Sequence, residues 1–509
     1  MAILFAAGLL ISGFTILRGV EPFDEGLTLQ AARRVADGQM PYRDFLWAYG
    51  PAHPFLLAGA FKAFGTSLLW WRIIRVVVDA AVAIVVFAIV RREAPRRVAL
   101  IAWLVAICAM AQPTGANPFA PALLFSLGAV WFAARGDERR GLFTAGGLAA
   151  LAAAWRLDFG VYAAGACAAA AFVRSHPASW RWAAVRASGA ARRVAILLGT
   201  FAAGCAIVYL PFVIADGPAD AWRDLIGRSL QQGRYWRLPF PIGYDGRLRL
   251  WPPGSFAHDA KDLLEFYIPL LLLIGIAVAV VAIARRRLHT DPLIVGLTVL
   301  GFAYIAYLLS RTDEFHSTPL LVLLAVLLPI LAMRVSMRGA AVMAFVVVAL
   351  LAYGLSNRLS ALFGPPDLAT VHVAVADGVK APPAEAKAIE QMVRAVQRRV
   401  PAGDPIYAVT LRSDLVRINN PLIYVLTERD NPTRQDFGLQ TGGPAQQEIV
   451  DALQVAQPRV IVRWLSPEST KREPNDRGKP TGIRTVDRWL AENYEPAEQF
   501  GDYQLLVRR

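Results

Sequence analysis

The chain has 509 residues, 56% of them hydrophobic and 18% charged, and its mean hydropathy is +0.41. These values lie outside the usual range of soluble globular proteins and mark a membrane protein. The net charge of +14 does not signal nucleic acid, because the arginines stand in short runs between apolar stretches, as topology-setting loops do, and not in one basic domain.

A spanning helix needs about 20 mostly apolar residues. Runs near 2–19, 69–90, 97–112, 118–134, 141–157, 159–174, 194–214, 264–284, 292–310, 317–333 and 339–356 predict about eleven such helices. The first run lacks a basic leader and an Ala-x-Ala cleavage site, so it reads as a retained transmembrane helix. If the helices alternate, one side receives Arg91, Arg92, Arg96, Arg97, Arg135, Arg139, Arg140, the run from Arg174 to Arg193, Arg285 to Arg287, Arg334 and Arg338. The positive-inside rule makes that side cytoplasmic, together with the N-terminus.

The opposite side then receives outer loops 20–68 and 215–262 of a membrane module spanning 1–356, and a tail, 357–509. The tail loses the long apolar runs. It alternates strand-like "PIYAVT", "RVIVRW" and "YQLLVRR" with helical "QQEIVDALQVA" and "TVDRWLAENY", which predicts an extracytoplasmic α/β domain with its own core. The expected fold is thus a polytopic α-helical membrane protein with a C-terminal soluble α/β domain. Cys108, Cys167 and Cys205 sit in apolar runs, have no metal-ligand or disulfide spacing, and read as core residues.

The outward side carries the polar chemistry. "EPFDEGLTLQAARRVADGQMPYRDF", residues 21–45, places Asp24 and Glu25 together at the edge of the membrane. From Asp24 to Gly38 it predicts an interfacial helix with Asp24 as N-cap, and its plain reading is a cap beside a solvated acid. "GQMPYRDFLWAYGPAHPF" comes next with Tyr42, Arg43, Asp44, Trp47, Tyr49 and His53, an amphipathic return into the interface.

Further along, "AWRLDFG" sets Arg156 and Asp158 between two apolar runs, where ionisable groups are costly and either bind a ligand or pair with each other. "QQGRYWRLPFPIGYDGRLRLWPP" interleaves Arg234, Arg237, Arg247 and Arg249 with Tyr235, Trp236, Phe240, Tyr244 and Trp251. That pattern suits a loop closing over a ligand, or an ordinary interfacial loop. "SRTDEFHSTP" places Arg311, Asp313 and His316 in a short outer loop, where Arg311 or His316 can grip a phosphate or stay solvated. Arg75 and Asp79, four apart on one helix, are expected to satisfy each other.

A first transmembrane helix ending in an Asp-Glu pair, followed by interfacial helices and a G-x-x-P-Y-R-D-F run (38–45), resembles the glycosyltransferase C superfamily. These are polytopic enzymes that take sugars from polyprenyl-phosphate donors, with protein O-mannosyltransferases and lipid A aminoarabinose transferases among them. The order of parts matches over nearly the whole chain, and "INNPLIYVLTERDNPTR" and "FGDYQLLVRR" look like the tail domain of bacterial members.

The resemblance implies an inverting transfer of a sugar to a lipid, glycan or protein acceptor at the outer face of the cytoplasmic (inner) membrane, among membrane lipids. Asp24 would be the general base, replaced or assisted by Glu25. The chemistry fits: the donor already holds a leaving group, so the enzyme must deprotonate an acceptor hydroxyl, align it, and neutralise the departing phosphate.

One segment departs from the family. Relatives often carry a second acid after the third helix, whereas "AQPTGANPFAP" offers Gln112, Thr114 and Asn117. No His or carboxylate cluster has metal-ligand spacing, so no required metal or other cofactor is expected, with a divalent metal as the open alternative. The absence of Asp-x-Asp, a glycine-rich phosphate loop and a dinucleotide fingerprint disfavours a nucleotide-sugar donor. Two other readings stay open: a transporter or flippase of lipid-linked sugars, which calls for repeated halves and midplane charges, and a non-catalytic cell-envelope assembly protein that binds through its tail.

Overall fold

A computed structural model describes residues 1–110, 118–174, 189–227, 237–238, 240, 246–286, 288–364, 367–415, 419–436 and 442–509. Among these, a helix occupies each of the eleven predicted runs, and two more shape the first loop. In order they are α1 (Ala2–Gly13), the loop helices α2 (Asp24–Ala36) and α3 (Ala52–Phe64), α4 (Leu69–Glu93), α5 (Arg96–Met110), α6 (Phe119–Arg135), α7 (Glu138–Trp155) and α8 (Leu157–Arg174). Then come α9 (Ala190–Asp216), α10 (Pro253–Arg286), α11 (Pro292–Ser310), α12 (Glu314–Ala332) and α13 (Met337–Phe363). Seven of them, α4 and α8 to α13, are long and apolar enough to cross a membrane, and the chain is a multi-pass membrane protein.

A helix that is apolar all round belongs in the interior, and α12 takes that place: every residue from Leu320 to Leu328 is fully buried. Small residues let its neighbours come close. A methyl added at Gly275 of α10 would lie 2.8 Å from Leu324, and one at Gly301 of α11 would lie 3.0 Å from Leu323. At one end of the bundle, Glu93 and Asp291 share Arg135 (3.2 and 3.1 Å) and Arg334 (2.7 and 2.5 Å). This places the ends of α4, α6 and α12 on the same side as the start of α11, as alternation requires.

Three boundaries differ from the sequence expectation. The first helix stops at Gly13 because the next residues join the tail: Lys380 N–H donates to Leu17 O (2.7 Å), Gly19 N–H donates to Lys380 O (2.8 Å), and Arg18 donates to Leu362 O (2.6 Å). Helix α10 begins at Pro253, before 264, with Asp259 of its early turns bound to Arg249 (2.8 Å). Helix α13 continues past 356 to Phe363, and its Asn357 amide donates to Glu314 (2.7 Å).

The tail comprises β1 (Ala369–Thr370), β2 (Lys380–Ala381), α14 (Pro383–Arg399), β3 (Tyr407–Thr410), α15 (Leu422–Thr427), α16 (Gly443–Ala456), β4 (Val460–Trp464), α17 (Thr485–Asn493), β5 (Tyr494–Phe500) and β6 (Tyr503–Arg508). Its main sheet has the order β3-β4-β6-β5. Strands β3 and β4 are parallel with Tyr407 opposite Ile461, and the other two pairings are antiparallel. The three strand-like and two helical stretches read from sequence are all elements of this domain.

Tail and membrane module meet on α2. The cap of that helix is Phe23, with no side-chain cap bond, and Asp24 is its first residue, which corrects the expected N-cap. The capping is done by Glu21, whose carboxylate accepts from the N–H groups of Phe23 (2.9 Å) and Glu25 (2.7 Å), so Asp24 is left uncommitted. Glu25 meets Arg72 of α4 through two bonds of 2.6 and 2.7 Å, both side chains fully buried. Arg72 also donates to Ile16 O and Gly19 O, each at 2.8 Å.

On its other flank α2 is gripped by the tail. Arg33 donates to Tyr424 O (2.8 Å), Arg429 O (2.6 Å) and Asp430 (2.6 Å), and Arg34 pairs with Asp436 (2.9 Å) and donates to Thr433 O (2.6 Å). Gly26 permits the approach, since a methyl there would sit 2.6 Å from Leu422 N. Gly26→Ala is therefore expected to lower the thermal unfolding midpoint, an overpacking cost of about 1–3 kcal/mol. Gly59→Ala, whose methyl meets nothing within 4 Å, serves as the matched control and is expected to leave the midpoint unchanged or higher. Glu25→Gln strands a buried guanidinium, at about 3–5 kcal/mol, and is expected to show as loss of folded protein in size-exclusion chromatography.

Candidate active site

Asp24, at the start of α2, is partly buried, and its carboxylate has no hydrogen-bond partner among the described residues. The charges acting on it are those of Asp313, His316, Arg156 and Arg311. Three separated stretches of sequence thus converge on one point, at the end of the bundle opposite the Glu93 and Asp291 cluster.

Arg156 is the single residue between α7 and α8, held in an extended conformation. Its guanidinium donates to both oxygens of Asp158 (3.1 and 2.8 Å) and to the Tyr307 hydroxyl (3.1 Å). It also lies over the rings of Tyr307 (4.7 Å), Phe159 (5.1 Å) and Tyr49 (5.4 Å). Such stacking fixes the plane of the fork.

Asp313 caps α12, and its carboxylate accepts from His316 N–H (3.0 Å), lies 2.6 Å from His316 Nδ1, and accepts from Arg311 Nε (2.7 Å). The imidazole stacks on Tyr307 at 4.4 Å. The remaining nitrogens of Arg311 reach Glu473 of the tail, both at 3.0 Å. Glu473 is in turn held by Arg477 (2.6 Å) and Asn475 (3.0 Å).

These surroundings divide the carboxyls into two kinds. Burial alone would raise Asp313, but His316 and Arg311 overcome it and hold the group down to about 2. Glu473 is likewise held down to about 2, with Arg311 outweighing burial. Burial pushes Asp24 up to about 6, reinforced by the charge of Asp313 and opposed by His316, Arg156 and Arg311. Glu21 goes up to about 8 by burial and the neighbouring charge of Asp24. Asp24 is therefore the acid that loses its proton near neutrality without being bound to a cation, the state a general base requires.

The other expected residues have different places. Glu25 is engaged by Arg72, so it does not stand beside Asp24 as a second base. Arg43 and Asp44 pair at the surface (2.7 Å). Tyr42, buried at a φ of +72°, donates to Tyr49 O (2.7 Å) and accepts from Arg434 (2.6 Å); it shapes the loop that carries Tyr49. His53 is buried against Trp71 (3.8 Å) and Trp155 (5.5 Å), a packing role. Arg237 is exposed. Arg234, Tyr235, Trp236 and Tyr244, as well as Gln112, Thr114 and Asn117, lie outside the described residues.

Sequence reasoning missed Glu21, Tyr307 and Glu473 and read Tyr49 as an interfacial aromatic. Glu21 had a signal, its position four residues before Glu25 at the start of the same helix. Among the described residues no group of three or more His, Cys, Asp or Glu gathers to hold a metal ion.

No family model matches the sequence, and no curated protein does. Solved structures do match. ArnT from Cupriavidus metallidurans bound to undecaprenyl phosphate is 14% identical, with 99% of this chain and 97% of that one aligned at a TM-score of 0.52. The same protein in the apo state gives 13%, 99%, 97% and 0.54. AglB from Archaeoglobus fulgidus, in complex with an inhibitory peptide and a dolichol-phosphate, gives 11%, 91%, 69% and 0.49. The likeness to ArnT runs through both the membrane module and the tail, and the chain shares the ArnT fold.

Proposed function

We propose that the protein is an inverting glycosyltransferase that moves a sugar from a polyprenyl-phosphate donor to an acceptor hydroxyl at the outer face of the cytoplasmic membrane, with Asp24 as general base. The observation that carries this reading is the uncommitted Asp24 carboxylate among Arg156, Arg311 and His316. A donor of this class is further supported by the shared fold with ArnT, whose crystal structure holds undecaprenyl phosphate. The orientation rests on the arginine-rich ends of the helices: N-terminus cytoplasmic, site and tail extracytoplasmic.

The acceptor proton passes to Asp24 as the acceptor oxygen bonds to the anomeric carbon. The bond from that carbon to the phosphate oxygen breaks on the opposite side, and its electron pair leaves on the polyprenyl phosphate. Arg156 and Arg311 are the cations for that phosphate. Both forks hold carboxylates, so a phosphate entering them replaces one pair of anionic oxygens with another of similar bite. The reading requires no metal.

Purified protein in vesicles, given a panel of polyprenyl-phosphate sugars together with a cell-envelope extract as the source of acceptor and followed by mass spectrometry of the donor, is expected to consume one of them. Asp24→Asn should reduce turnover by about 10²–10⁴-fold with normal yield. A donor carried across the bilayer uncleaved would replace this reading with the transporter. Because Asp24 must be unprotonated, the rate should fall as pH drops through about 6. His316 opposes the rise of Asp24, so His316→Gln should move that acid limb to higher pH in the same assay.

A further inference from the structure

Between α1, α5 and α13 lies a groove of about 360 Å³, within the ~300–1,000 Å³ typical of small-molecule sites. Leu10 and Phe14 come from α1 and the turn after it, Leu104 and Cys108 from α5, and Leu355 and Arg358 from α13. Leu10, Phe14 and Leu355 are 75%, 42% and 40% exposed, so the groove opens on the apolar surface that faces lipid.

Arg358 is out of keeping with that lining. It is 4% exposed, and its Nε and Nη2 are buried with no hydrogen-bond partner among the described residues. Its Nη1 reaches Thr15 Oγ1 only at 3.5 Å, and its Cζ lies 5.5 Å from the Phe14 ring. The neighbouring carboxylates are already bound, Asp79 to Arg75 (3.1 Å) and Ser12 (2.9 Å), and Glu314 to Asn357 (2.7 Å) and Lys261 (3.8 Å). A guanidinium at membrane depth without its own anion is costly, and the missing partner is an anion.

Position indicates which anion. Arg358 lies five residues before Phe363, so at about 1.5 Å per residue it is roughly 7–8 Å below the end of α13, within the headgroup zone of a bilayer. On each of the three helices the apolar lining residue lies about one turn deeper: Leu355 below Arg358, Leu104 below Cys108, Leu10 below Phe14. The groove is polar in its demand at the tail-domain end and apolar beneath.

We propose that this groove binds one anionic phospholipid of the bilayer, its phosphate on Nε and Nη2 of Arg358 and an acyl chain along Leu10, Leu104 and Leu355. The proposal is independent of the transfer reaction and of Asp24.

The test is native mass spectrometry of delipidated, full-length protein in detergent, titrated separately with phosphatidylglycerol, phosphatidylcholine and undecaprenyl phosphate. Wild type is expected to retain one phosphatidylglycerol and no phosphatidylcholine. Arg358→Gln should weaken that retention roughly tenfold or more, the usual worth of a charge-assisted bond. Leu355→Trp keeps the arginine but fills the groove, and should weaken it as well, which separates loss of the site from misfolding of the Arg358 variant. Equal retention by wild type and both variants, equal binding of phosphatidylcholine, or retention of undecaprenyl phosphate in place of phosphatidylglycerol would each overturn the proposal.

Discussion

The site depends on the buried pair between Glu25 and Arg72. A carboxylate and a guanidinium removed from water gain little net stability from each other, but losing either leaves a charge the interior cannot solvate. The pair therefore acts as a locating pin. It fixes the start of α2 against α4, and Arg72 extends the constraint to the turn after α1 through the carbonyls of Ile16 and Gly19. With Glu21 capping the helix, the neighbouring Asp24 is released from both structural tasks that an acid at this position would ordinarily take.

The acids around the site accordingly divide the labour. Asp158, Asp313 and Glu473 each face an arginine, whereas Asp24 is surrounded by the same cations without bonding to one. Burial and the charge of Asp313 work against the neighbouring positive groups, and the balance leaves Asp24 close to neutrality. One fold thus keeps some carboxylates charged and bound and another one free to exchange a proton.

Much of this was legible in the sequence, for identifiable reasons. Apolar runs of spanning length leave little choice of structure, so the eleven helices fell where expected; the ends of α1 and α10 did not, because they are set by Lys380 and Asp259 through side-chain and backbone bonds that hydropathy does not encode. Arg156, Asp158, Arg311, Asp313 and His316 stood out because charge is rare beside apolar runs, and the structure brings four of them to Asp24, with Asp158 held by Arg156. Glu25 was legible as an acid but not as a buried one: adjacent residues on a helix point about 100° apart, and which of the two faces the interior depends on Arg72. Glu473 carried no local signal at all, since its partner Arg311 is 162 residues away.

The clamp on α2 has a consequence in time. Arg34 and Asp436 are 402 residues apart, and a ribosome adding about 5–20 residues per second needs roughly 20 to 80 s to make the stretch between them. During that interval the first loop stands at the membrane surface without the segment that grips it. A polar element made before most of the membrane helices is thus fixed after them, and its geometry is complete only once residues 424–436 have left the ribosome.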